Sequence, residues 1–195
     1  ARAAINIGNL DINNIARGYQ VSSSGYLSIF KKIIVRFTSL KKIKKPLKQN
    51  ERIRIHIGTN ESIGRISLVN LDQLDPGESC ILLIKLESKI IATMGDKFIL
   101  RTFSPLMTIG GGEVIDGIVD EKWKEIKDYI ISLENLQGSD IKKHMIESQK
   151  FKPLLYQEGK IKFGLGNKQI EEFINLNNEI FYIEYKSKKW LVTVK

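Results

Sequence analysis

The hydrophobic period of this chain changes once, near residues 118–121, and that change limits the folds open to it. Upstream, apolar residues alternate or run in short blocks between turn residues; downstream they recur at helical spacing. Arg52-Ile53-Arg54-Ile55-His56-Ile57 alternates strictly, as a strand with one wet face does. Ile29–Leu40 alternates in its centre, with Ile33, Val35 and Phe37 on one side and Ile34, Arg36 and Thr38 on the other. Arg2–Ile7, Ile63–Val69, the buried run Cys80–Leu86, then Lys89–Ala92 and Phe98–Phe103 read as further strands. Leu74-Asp75-Pro76-Gly77-Glu78, Gly95-Asp96 and Ser104-Pro105 supply turns between them. Gly110-Gly111-Gly112 then leads into a last strand near Glu113–Ile118. Short strands at this spacing suggest an all-β barrel or sandwich.

Beyond Asp120, a candidate N-cap, Trp123, Ile126, Ile130 and Leu133 share one helix face. Ser139 is placed to cap a second helix carrying Ile141 and Met145. A third spans roughly Tyr156–Phe163 and ends at Gly164-Leu165-Gly166. A fourth, Asn167–Leu176, sets Ile170, Phe173 and Ile174 on one side. Glu179–Tyr185 and Trp190–Val194 then flank Lys186-Ser187-Lys188-Lys189 as a hairpin. Helices followed by a two-stranded wing outline a winged helix-turn-helix.

Charge separates the two parts. Of a net +9 over 195 residues, residues 28–50 hold eight bases and no acid: Lys31, Lys32, Arg36, Lys41, Lys42, Lys44, Lys45 and Lys48. Clustered lysine attracts phosphate. Residues 121–195 hold 14 lysines against 11 acids, a mild excess of +3. No run of apolar residues is long enough for a membrane helix. The single cysteine, Cys80, cannot form an internal disulfide and suits a reducing, intracellular setting. No G-x-x-x-x-G-K-[ST] loop is present, and two distant histidines, His56 and His144, poorly support a metal site or a Cys/His nucleophile pair. No catalytic centre and no metal site is therefore expected. Lacking an initiator Met and opening on strand-like residues, the chain reads as a piece of something longer.

Three stretches together carry a resemblance. Ala4-Ile5-Asn6-Ile7 followed by Ile15-Ala16-Arg17-Gly18 is similar to the end of the second domain of EF-Tu-like translation factors. Leu74-Asp75-Pro76-Gly77-Glu78 and Gly95-Asp96-Lys97-Phe98-Ile99-Leu100-Arg101 resemble their third domain. The string from Arg101-Thr102-Phe103-Ser104-Pro105 through Thr108-Ile109-Gly110-Gly111-Gly112 to Asp116 resembles the branch of selenocysteine-specific elongation factors, as do Pro46-Leu47-Lys48 and His56-Ile57-Gly58-Thr59. An appended winged helix is a further trait of that branch.

The resemblance implies an EF-Tu-like antiparallel β-barrel followed by a winged helix-turn-helix domain, mainly β plus α/β. It divides the chain into 1–27 (the end of a domain II-like barrel), 28–118 (a domain III-like barrel) and 119–195 (linker helix and winged helix). It implies a cytoplasmic factor, with no membrane partner, that brings selenocysteinyl-tRNA to the ribosome at a recoded UGA codon. Here it leaves a barrel that binds a tRNA arm and a winged-helix spacer towards modules that bind the mRNA hairpin. GTP, Mg²⁺ and hydrolysis would belong to a GTPase domain outside this chain, so the fragment is expected to have neither a cofactor nor enzymatic activity of its own. By position, Arg17 would approach the 5′ end of the tRNA, and Thr59 and Gly110, Gly111 and Gly112 the T stem. Lys41, Lys42, Lys44, Lys45 and Lys48, with His56, would join them. On the wing, Lys186, Lys188 and Lys189 are better contact candidates than the helix Asn167–Leu176, whose Lys168 stands beside Glu171 and Glu172. Two alternatives are a winged-helix DNA-binding regulator with an attached β domain and a fragment of a general translational GTPase. Arg17, the glycine string and the acidic recognition helix speak against the regulator.

Overall fold

The computed structural model describes residues 4–8, 11–22, 26–148 and 153–194. Strands β1 (Ile29–Ser39), β3 (Arg52–Ile57), β4 (Asn60–Ser67), β6 (Ser79–Ile91), β7 (Lys97–Thr102) and β8 (Thr108–Ile118) close into a barrel of spatial order β1-β6-β4-β3-β7-β8. Every pair is antiparallel. Two short strands, β2 (Leu47–Lys48) and β5 (Gln73–Leu74), pair with each other. Inward residues such as Ile33, Val35, Phe37, Ile53, Ile55, Ile66, Leu82, Ile84 and Leu100 form the barrel core.

The strand sequences differ because the barrel has a covered side and an open side. In β1 and β6 the apolar residues are consecutive, Ile33-Ile34-Val35 and Ile81-Leu82-Leu83-Ile84, and all are buried. Ile34, Ile81 and Leu83 point away from the barrel core into a second cluster. Helix α1 (Trp123–Leu133) contributes Ile126, Ile130 and Leu133 to that cluster. A strand covered on both faces needs apolar residues at every position, whereas β3 has one face in water and alternates.

The second part contains α1, α2 (Ser139–Glu147), β9 (Leu154–Leu155), α3 (Tyr156–Phe163), α4 (Asn167–Asn175), β10 (Ile180–Tyr185) and β11 (Lys188–Thr193). Its strands form a sheet of order β10-β11-β9. Helices α3 and α4, the sheet and its hairpin make a winged-helix-like region. Asp116, near the end of β8, joins it to the barrel. Its carboxylate accepts from the Tyr129 hydroxyl of α1 at 3.0 Å and lies 2.8 Å from the Lys162 ammonium of α3. Arg36 of β1 also donates to the Leu136 carbonyl after α1, at 2.6 Å.

Several expectations are corrected. Ala4–Ile7 form no strand: they are exposed and lack a ladder partner, and an isolated strand leaves its backbone groups unpaired. Arg2 and Ala3 lie outside the described residues. Cys80–Leu86 and Lys89–Ala92 are not separate strands but largely one, because β6 is long enough to pair with both β1 and β4. The glycine string lies inside β8 instead of leading into it, since β8 is squeezed between the backbones of β1 and β7. A Cβ on Gly110 would come 2.3 Å from the Thr38 carbonyl oxygen, and one on Gly112 1.8 Å from that of Arg36. Lys122, not Asp120, is the N-cap of α1; its N–H donates to Glu125 three residues on, at 3.0 Å. Gly138, not Ser139, caps α2, because the chain enters that helix at a φ of 54°, where glycine meets no steric penalty. The hairpin turn is tighter than expected: Lys186 and Ser187 occupy it with φ of 49° and 58°, and Lys188 and Lys189 belong to β11.

Candidate nucleic-acid interface

The strict alternation of β3 sends Ile53, Ile55 and Ile57 into the core and leaves Arg52, Arg54 and His56 on the outer, open side. Register then decides what they meet. Arg54 stands opposite Arg101 of β7, and Arg52 opposite Arg65 of β4. His56 stands opposite Glu61 of β4 and, on its other flank, opposite Ile99. Four guanidinium groups on this surface are answered by two carboxylates, Glu61 and Glu87.

Arg52 forks onto Glu87 with bonds of 2.9 and 3.0 Å, and its guanidinium lies 4.0 Å from the centre of the Phe103 ring. Arg54 donates to Glu61 at 2.6 Å and lies 5.1 Å from the same ring. The Arg54 hydrogen bond holds the Glu61 carboxyl below the usual range, with His56 and Arg101 adding to it. The Arg52 fork does the same for Glu87. Both carboxylates are thus committed. Arg54 Nε, Arg101 Nε and His56 Nε2 have no hydrogen-bond partner. Like charges directly opposite one another in a sheet repel, and donors without acceptors cost free energy. Those three atoms are buried, so an anion at this surface would relieve the repulsion between the guanidinium groups rather than pair with them.

The residues singled out from the sequence fall into two groups. The β1–β2 loop carries Lys41, Lys42, Lys44 and Lys45, all exposed, and Lys48 follows in β2. Strand β3 runs antiparallel to β1 and carries the chain back, so the Gly58-Thr59 turn opens at the opposite end of the barrel. Arg17 is exposed at that end: its neighbour Gly18 is buried against Asn60 with a φ of 97°. The structure therefore brings Arg17 and Thr59 near each other and keeps the lysine loop apart from them. His56 lies on the open side between. Gly110 is buried and Gly111 and Gly112 are half-buried, each close to a neighbouring strand backbone. On the wing, Lys189 pairs with Glu184 at 3.5 Å, while Lys186 and Lys188 are exposed.

Arg52, Arg54, Arg65 and Arg101 were not among the sequence candidates. The signal for the first two was the wet face of the alternating strand. Pairing of Arg54 with Arg101, 47 residues away, depends on register and has no local signature.

A cavity of about 480 Å³ lies at the junction around Asp116, Tyr129, Ser132, His144 and Lys162. There the Ser132 hydroxyl and His144 Nε2, 2.8 Å apart, tie α1 to α2. Among the described residues, no group of three His, Cys, Asp or Glu side chains is placed to hold a metal ion. Nor is any described helix long and apolar enough to cross a membrane.

Residues 33–120 match the family of selenocysteine-specific elongation factor β-barrel domains. The selenocysteine-specific elongation factor of Desulfomicrobium baculatum is 28% identical over 127 residues, which cover 65% of this chain and 20% of that protein. The chain thus aligns with about one fifth of the length of that relative.

Proposed function

We propose that the barrel, whose residues 33–120 match the selenocysteine-specific elongation factor β-barrel family, grips the backbone of selenocysteinyl-tRNA on its open side. The observation that carries this reading is the Arg54–Arg101 pair on a surface where four guanidinium groups face two carboxylates. Guanidinium groups fork onto phosphate oxygens, and RNA helices are recognised through phosphates and 2′-hydroxyls more than through bases. The Phe103 ring under Arg52 and Arg54 fixes the two planes without consuming hydrogen-bond donors.

Lys41, Lys42, Lys44, Lys45 and Lys48 extend this surface at one end of the barrel. Arg17 and Thr59 form a second contact at the other end, at the 5′ end and T stem respectively. Gly111 and Gly112 keep β8 free of side chains that would hold a backbone off; their close strand packing is a sufficient reason for the glycines by itself. The winged-helix-like region acts as a spacer towards modules that bind a selenoprotein mRNA hairpin, and the assembly works at the ribosome in the cytoplasm. GTP and Mg²⁺ chemistry belongs to a GTPase domain, whose phosphate loop this sequence does not contain.

Photo-crosslinking to tRNA bearing 4-thiouridine in the T stem tests the reading. Crosslinked peptides from β3 and β7 are expected; crosslinks confined to α4 would overturn it.

A further inference from the structure

The sheet β10-β11-β9 turns two unlike faces outward and inward. Side chains alternate across it, so Ile180, Tyr182 and Leu191 join Leu154 on the inner face, where Ile180, Leu191 and Leu154 enter the core. The outer face sets Phe181 opposite Val192, Ile183 opposite Trp190, and Tyr185 opposite Lys188. Phe181, Ile183 and Tyr185 are 39%, 45% and 61% exposed. This is a contiguous aromatic and aliphatic face, not a scatter of single residues, and such faces mark contact sites.

Charge is sorted between the faces as well. Glu184 points to the inner side and pairs with Lys189, whose ammonium lies 4.5 Å from the Tyr182 ring centre. Glu179, just before β10, is taken up by Lys143 of α2. The outer face carries Lys188, with Lys186 at the tip 5.2 Å from the Tyr185 ring centre, and no carboxylate among the described strand residues. Exposed rings bordered by uncompensated lysines complement a polyanion that also presents flat apolar groups. Helix α4 lacks this character, with Glu171 and Glu172 beside Lys168.

We propose that the outer face of the wing is a stacking platform for unpaired bases of single-stranded RNA. Phe181, Tyr185 and Trp190 take the bases, and Lys186 and Lys188 the phosphates between them. Aromatic rings on an exposed sheet accept bases with little sequence preference. Only the choice of RNA over DNA rests on the proposed function; the platform stands apart from the barrel surface and gives the spacer a contact of its own.

The full chain carrying Trp123→Phe leaves Trp190 as the single indole reporter. Titration with an oligouridylate of about 12 nucleotides, long enough for one platform, is expected to quench Trp190 far more than an RNA duplex of equal length. Tyr185→Ala is expected to weaken the binding about tenfold, the effect of removing one stacked base. Lys188→Gln should flatten the log–log salt slope by about 0.7, the single-strand value per phosphate engaged. Arg54→Ala/Arg101→Ala should leave the Trp190 response unchanged, which separates failure here from failure of the barrel reading. Quenching that is absent, equal with duplex, insensitive to Tyr185→Ala or abolished in the barrel variant would overturn the proposal. So would self-association in sedimentation that Tyr185→Ala abolishes, since the face would then join two copies of the chain.

Discussion

Lys162 of α3 holds its ammonium 2.8 Å from the Asp116 carboxylate of β8, and that carboxylate is only 4% exposed. With the Tyr129 hydroxyl at 3.0 Å and the Gly117 N–H at 2.8 Å, it joins the barrel to two helices. Burial pushes the Asp116 carboxyl up, and the attraction of Lys162 with the hydrogen bonds from Lys162, Tyr129 and Gly117 pulls against that shift without reversing it.

An acid whose folded pKa is raised holds its proton more readily folded than unfolded. Its contribution to stability is therefore greatest at low pH and declines as pH rises from the ordinary value of 3.8 through the folded one. Asp116→Asn keeps an acceptor and removes the charge, so the variant should hold its stability better than the natural protein as pH rises. Lys162→Ala strands a buried carboxylate and should cost about 3 kcal/mol at neutral pH. Urea unfolding of both variants at low and neutral pH measures this. A larger loss for Asp116→Asn than for Lys162→Ala would contradict it.

Gly112→Ala places a Cβ 1.8 Å from the Arg36 carbonyl oxygen, in backbone that cannot yield without opening the β1–β8 ladder. The expected loss is on the order of 3 kcal/mol, at the upper end for overpacking. Gly58→Ala meets nothing within 4 Å and suffers only from its φ of 56°, a cost of about 1 kcal/mol. Denaturant midpoints of the two variants should fall in that order; the reverse order would refute the packing argument.

Cys80 is half-buried, and desolvation, with Glu134 and Glu78 nearby, pushes its thiol up to about 12. Since the thiolate is the reactive form, alkylation by iodoacetamide near pH 8 should be slow in the native protein and fast after unfolding. Labelling of the native chain at the rate of a free thiol would show the site to be open.

Lys41, Lys42, Lys44 and Lys45 are exposed, and none forms an ion pair with a described residue. Replacing all four with Gln should leave the melting temperature within about 2 °C, as surface substitutions away from packing features do, while weakening tRNA binding. A large fall in melting temperature would mean that the loop holds the barrel together.

The barrel was legible wherever a strand had one uniform job. Arg52–Ile57 alternates because one side meets core and the other water, and its bounds match the observed strand. The consecutive isoleucines and leucines of β1 and β6 show burial but not what buries the second face; α1, remote in sequence, does so. The lysine run drew notice because its charges are contiguous in the chain. The arginine surface is assembled across three strands and emerges only with the register. Nothing local in the sequence marks Asp116, since a carboxylate's burial depends on which helix lands on it.

The salt dependence of tRNA binding tests the central claim most directly. With Arg54→Ala/Arg101→Ala in the full chain, affinity should fall and the plot of log K against log salt should flatten by up to about 1.8, roughly 0.9 for each phosphate no longer engaged, the duplex-DNA value carried over to the RNA stem. Unchanged affinity with an unchanged slope would show that this barrel surface does not hold the RNA backbone.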